Sequence, residues 1–275
     1  MSGEPPWLSA SVFAKTQPMA NNKIITDING NITTIIINRP EVRNALDQEA
    51  SDALARHLKA FDADDSQRVA VLTGAGDSFC AGADLKETAE RADYKAWAGH
   101  PDGPLHKPLS KPVIAAVNGH AVAGGLGVAL YCDIRIADEA AVFGIFCRRW
   151  GVPMSDGTPT RLPRLIGMGP AMDMMLTGEP VSAQRALSMG LVTRIAPKGS
   201  VRDMAEKLAQ QIANYPQAAM LSDRHALLDQ EGRSEEDALA EEWRVARAVQ
   251  AEAAAKGAKR FADGAGRHGD FEDLG

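Results

Sequence analysis

Two runs of small residues, Ala81-Gly82-Ala83 and Ala123-Gly124-Gly125, are where this sequence can bring a ligand against bare backbone. Positions without bulky side chains permit that approach, and two amide N–H groups aimed at one oxygen stabilise negative charge developing on it. Gly124-Gly125 opens the apolar run Leu126-Gly127-Val128-Ala129-Leu130-Tyr131-Cys132. Gly124 is therefore expected at a helix N-terminus, where unpaired amides and the helix dipole favour an anion. Few side chains near these runs can move a proton. Asp156, in Pro153-Met154-Ser155-Asp156-Gly157-Thr158, reads either as an acid/base or as a turn and helix cap, because Asp-Gly is ordinary turn chemistry. Cys147 precedes Arg148 and Arg149, which favour a thiolate, but a buried thiol serving as a small hydrophobe is the plainer reading. His120 is either a second proton-transfer group or structural.

Other chemistries lack local support. Gly264-Ala265-Gly266-Arg267-His268-Gly269 satisfies G-x-G-x-x-G but has no preceding strand or following helix, which a dinucleotide site needs. Walker A, H-E-x-x-H, C-x-x-C and G-x-S-x-G sequences do not occur. A metal site is not expected.

The elements that must position these groups alternate in type. Runs 24–28 and 32–38 flank Asn29-Gly30 and read as a β-hairpin. Leu46, Ala50, Ala53, Leu54, Leu58 and Phe61 recur every three or four residues, which predicts a helix over about 46–61. Strands are expected at 69–73, 113–117 and 133–138, on either side of the glycine-rich segment. Beyond Val192 the pattern is helical, and Ser200 with Asp203 and Ser234 with Asp237 match capping-box spacing. Met172, Met174 and Met175 read as core filling, Trp150 as either pocket wall or core, and the charges at 86–95 as a solvated helix face.

With 275 residues, 45% hydrophobic and 24% charged, the chain is long enough and ordinary enough in composition for a sizeable folded core. Its formal charge of −6 argues against a nucleic-acid partner. Three cysteines suit a reducing cytoplasm better than a disulfide framework, and no apolar run is long enough for a membrane span. Residues 1–22, rich in Ser, Pro, Ala and Asn, read as a flexible extension with a second possible start at Met19.

Three segments carry a resemblance. Asn38-Arg39-Pro40 through Asn44-Ala45-Leu46, Phe79-Cys80-Ala81-Gly82-Ala83-Asp84-Leu85, and Lys111-Pro112-Val113 through Cys132-Asp133 occur in the order seen in the crotonase, or enoyl-CoA hydratase/isomerase, family. Leu176-Thr177-Gly178 and Ala183 through Val192 are also similar to it, so the resemblance spans roughly residues 23–263. It implies an α/β fold with a crotonase-type ββα spiral core over 23–198 and a C-terminal helical trimerisation subdomain and tail over 199–275. The substrate it implies is an acyl-CoA thioester, with coenzyme A part of that substrate and no tightly bound cofactor. The backbone N–H groups of Ala83 and Gly124 would form the oxyanion hole. Val42, Arg43, Ala45, Ala81, Asp84 and Leu85 would hold coenzyme A, Arg43 being either a phosphate contact or a solvated surface arginine. Phe261 matches an aromatic that approaches the CoA from a C-terminal helix, often of a neighbouring subunit, with core packing as its other reading. A homotrimer or homohexamer follows from the same resemblance.

The sequence departs from the hydratase pattern at both acids. Hydratase members use two glutamates; Gly127 and Cys147 stand at those positions. Asp156 lies in the loop where some members that isomerise, dehalogenate or close rings carry an aspartate. Isomerisation, decarboxylation or thioester cleavage is therefore expected as readily as hydration. The competing expectation is a non-catalytic subunit that binds acyl-CoA.

Overall fold

Ile24–Asn29 (β1) and Ile32–Ile37 (β2) pair antiparallel around a two-residue loop, Gly30-Asn31, because Asn29 and Ile32 are themselves partners. The loop sits one residue later than the sequence suggested, and Gly30 supplies the positive φ, 58°, that such a turn needs. In the computed structural model, residues 22–90, 103–250 and 254–264 are described. Nearly all of the expected N-terminal extension, residues 91–95 of the charged stretch and the glycine-rich tail after Gly264 lie outside them.

The remaining strands are Val69–Gly74 (β3), Ser78–Cys80 (β4), Val113–Val117 (β5), His120–Val122 (β6), Ile134–Asp138 (β7), Val142–Gly144 (β8), Val181–Ser182 (β9) and Arg194–Ala196 (β10). They form a six-stranded sheet in the order β1-β2-β3-β5-β7-β10 and a four-stranded sheet in the order β4-β6-β8-β9. Apart from β1–β2 and β8–β9, neighbours run parallel. Successive strand pairs β3/β4, β5/β6 and β7/β8 place one strand in each sheet, which makes the chain a spiral of ββα units.

Helices fill the spiral. Gln48–Ala63 (α1) begins at Asp47, whose carboxylate accepts the Ala50 N–H at 2.8 Å. It starts two residues later than its periodicity predicts because Leu46 instead bridges to Ala83. Leu85–Glu90 (α2) follows the first small-residue run, and Gly124–Tyr131 (α3) begins within the second. Thr158–Ile166 (α4), Met168–Thr177 (α5) and Ala183–Ser188 (α6) precede β10. The chain continues as Val201–Asn214 (α7), Gln217–Asp229 (α8), Glu235–Val249 (α9) and Ala255–Ala262 (α10).

Side chains alternate across the large sheet as a period of two requires. Val113, Ala115 and Val117 of β5 join Ile35, Leu72, Leu54 and Leu126 in the main core, under α1 and α3. Ile114 and Ala116 point the other way, onto Val201, Ala205, Ala209 and Ala213 of α7. That stripe of alanines at every fourth residue brings α7 close against the strands.

Two expectations change and one holds. Ser200 does not cap α7 with its side chain; its hydroxyl donates to the Pro197 carbonyl at 2.7 Å. Ser234 does cap α9, accepting the Asp237 N–H at 3.1 Å. Of the three methionines, only Met174 is core at 2% exposure, Met175 packs against it, and Met172 is 46% exposed. No helix among the described residues is long and apolar enough to cross a membrane.

Candidate active site

The first two motifs are stitched together by main-chain bonds. The Ala81 N–H donates to the Arg43 carbonyl at 3.0 Å, Leu46 to Gly82 at 2.8 Å, and Asp84 to Leu46 at 2.9 Å. In that parallel pairing the N–H groups of Gly82's successor, Ala83, face away from residue 46, on the edge that lines a cavity. Asn44 locks the loop from beneath. Buried and at φ 57°, it donates to the Ala75 and Ser78 carbonyls and accepts the Arg39 N–H at 2.8 Å. The Arg39 guanidinium bridges Asp47 at 3.0 Å and Asp84 at 3.1 Å. The Asp84 carboxylate is thus occupied within the protein.

Close packing of the second and third motifs needs glycine. A Cβ at Gly82 would fall 2.7 Å from the Gly124 nitrogen, and one at Gly125 would fall 1.9 Å from the Cys80 carbonyl oxygen. Gly124 is the first residue of α3, so its N–H has no intrahelical acceptor. Ala123 before it adopts φ 48°, ψ −127°, a conformation that costs an L-residue energy, and its N–H is pinned to the Gly144 carbonyl at 2.8 Å.

Ala81, Ala83, Leu85, Gly124, Cys147, Trp150 and Asp156 share one cavity of about 300 Å³ with Phe146, Val152 and Met154. Its wall is mostly apolar. Asp156, only 4% exposed, is its buried acid. One carboxyl oxygen accepts the Thr158 N–H at 2.9 Å, at the first turn of α4, while Oδ2 has no hydrogen-bond partner among the described residues. Burial raises this carboxyl above the ordinary aspartate range.

Cys147 also faces the cavity, with Sγ 3.0 Å from the Met154 sulfur. Burial, opposed by Arg148, pushes its thiol above the ordinary cysteine range. Trp150 is 71% exposed at the cavity wall rather than packed in the core. His120, half-buried at the start of β6, does not line the cavity. Of the residues expected to hold coenzyme A, Ala81 and Leu85 line it, and Val42, Arg43, Ala45 and Asp84 lie on the stitched segments beside it. Phe261 is 68% exposed on α10, so it is not core packing, and it does not line the cavity of its own chain.

Sequence reasoning passed over Arg39, Asn44 and Ala123 as individuals. The spacing Asn-Arg-Pro-x-x-x-Asn carried the first two, and nothing in the sequence announced the third.

A family profile described as enoyl-CoA hydratase/isomerase matches residues 27–273. The chain is 39% identical over 196 residues to an (E)-benzylidenesuccinyl-CoA hydratase of Thauera aromatica, covering 70% of this chain and 76% of that protein. It is 36% identical over 213 residues to a short-chain-enoyl-CoA hydratase of Clostridium acetobutylicum, covering 74% and 80% respectively. The crystal structure of enoyl-CoA hydratase EchA1 from Mycobacterium marinum superposes with a TM-score of 0.83 at 34% identity, over 88% of this chain and 96% of that one.

Proposed function

Because this chain belongs to the enoyl-CoA hydratase/isomerase family, we propose that it forms a thioester enolate with a single protein acid/base, Asp156. The N–H groups of Ala83 and Gly124 donate hydrogen bonds to the carbonyl oxygen of the thioester. The Asp156 carboxylate removes a proton from the adjacent carbon, and the electron pair moves onto the oxygen held by the two amides. Asp156 then returns the proton, either to the same carbon or to one conjugated with it. A shift of the double bond needs no second acid. Hydration by the two-glutamate route does, and neither Gly127 nor Cys147 supplies one.

The observation that carries this reading is the Asp156 carboxyl, in a residue that lines the cavity with Ala83 and Gly124 and with its Oδ2 buried without a partner among the described residues. A carboxyl whose pKa burial raises suits a group that gives and takes a proton. The cavity's apolar wall supports an apolar acyl group. Backbone around Val42, Arg43, Ala45, Ala81, Asp84 and Leu85 holds the coenzyme A portion, and Phe261 serves a neighbouring subunit's site in a homotrimer or homohexamer. Three buried, unpaired cysteines support a cytoplasmic setting.

Exchange of the α protons of butyryl-CoA with solvent deuterium, followed by NMR beside isomerisation of 3-hexenoyl-CoA and hydration of crotonyl-CoA, tests the proposal. Exchange and isomerisation that outpace hydration, and that vanish in Asp156→Asn, are expected. Exchange unaffected by Asp156→Asn would remove Asp156 from its role. Acyl-CoA binding with no turnover of any kind would favour a non-catalytic binding subunit.

A further inference from the structure

Gly127 lies inside α3, where glycine is less favourable than alanine, so its presence calls for a spatial reason. A Cβ at this position would sit 2.5 Å from Cγ, 2.7 Å from Oδ2 and 2.8 Å from Cβ of Asp156. Carbon atoms pack at about 3.5–4.0 Å, so these approaches are forbidden rather than tight. Asp156 has little room to yield. Its other oxygen is bonded to the Thr158 N–H, the loop 152–156 forms the cavity wall, and α4 packs on α3.

We propose that Gly127 and Asp156 form one either-or position. The bare α-carbon at 127 admits the carboxyl borne by the loop before α4, and any side chain on α3 at that point excludes it. Residue 127 therefore decides which element supplies the acid on this side of the cavity, and with it which proton transfers the site performs. This deepens, and rests on, the reading of Asp156 as the proton-transfer group.

The consequence is a coupling far from additive, since both substitutions act through one contact. Four full-length chains measure it: the native sequence, Gly127→Ala, Asp156→Gly and the double variant. In the native background Gly127→Ala is expected to lower the thermal midpoint by several degrees and butyryl-CoA proton exchange at least 100-fold. In the Asp156→Gly background the same substitution is expected to leave the midpoint unchanged or raise it, because only helix propensity remains. If Gly127→Ala gives no folded protein, recovery of a folded chain in the double variant is the same coupling. Equal midpoint shifts in both backgrounds, or a double variant that also fails to fold, would each overturn the proposal. The midpoint cycle reads the contact, whereas loss of exchange in Asp156→Asn reads the catalytic assignment, so either can fail without the other.

Discussion

Asp156 bears two opposite consequences of one burial. As the proposed acid/base, its replacement in Asp156→Asn is expected to lower turnover by about 10²–10⁴-fold with little loss of CoA affinity, read as a kcat effect against a ligand titration. As a buried acid raised above its ordinary range, it also costs stability when ionised. The folded chain then binds more protons than the unfolded chain between the ordinary and the raised value, so stability falls as pH climbs through that interval. Asp156→Asn is therefore expected to raise the unfolding midpoint at neutral pH, and the gain should fade below the ordinary aspartate range, where both states are neutral. Calorimetry across pH checks the sign. Ala123 offers a parallel trade. Relaxing its φ 48° in Ala123→Gly is expected to stabilise the chain by about 1 kcal/mol while loosening the aim of the Gly124 N–H. Denaturant titration beside the exchange assay would show stability rising as turnover falls, whereas parallel changes would make Ala123 merely structural.

Between elements, the contacts that matter most are those that fasten one motif to the next. Asn44→Ala leaves the Ala75 and Ser78 carbonyls and the Arg39 N–H without their partner and puts alanine at a positive φ. A loss of about 3 kcal/mol or more, measured by chemical denaturation, is expected. On the opposite face of the large sheet, Ala209→Leu would overpack the alanine stripe of α7 at a cost of about 1–3 kcal/mol. These elements were legible in the sequence to different depths. The alternation of β5 and the apolar period of α1 announced their own faces, because burial is what writes such periods. Gly124 at the start of α3 was readable for the same local reason. The meeting of Asp156 with Gly127 was not, since it depends on how α4 lands on α3, and no local period records that. Met172 was misjudged, and Trp150 left open between wall and core, because large apolar residues are not all interior ones.

At the scale of the whole molecule, Leu227 on α8, Leu239 and Trp243 on α9, and Phe261 on α10 are each more than half exposed. The proposed trimer or hexamer would cover such residues, so native sedimentation should exceed the monomer mass of 29.3 kDa. Trp243→Asp is expected to shift the distribution toward monomer with helix content retained, and a native chain that sediments only as monomer would remove the assembly. The cavity itself gathers residues from the second motif, from α3 and from the loop that α4 secures. A chain leaving the ribosome consequently has no complete cavity until α4 has emerged and packed. Ligand cannot template the earlier turns of the spiral, which must find their register on their own contacts, and affinity for the proposed acyl-CoA substrate becomes a test that only a finished core can pass.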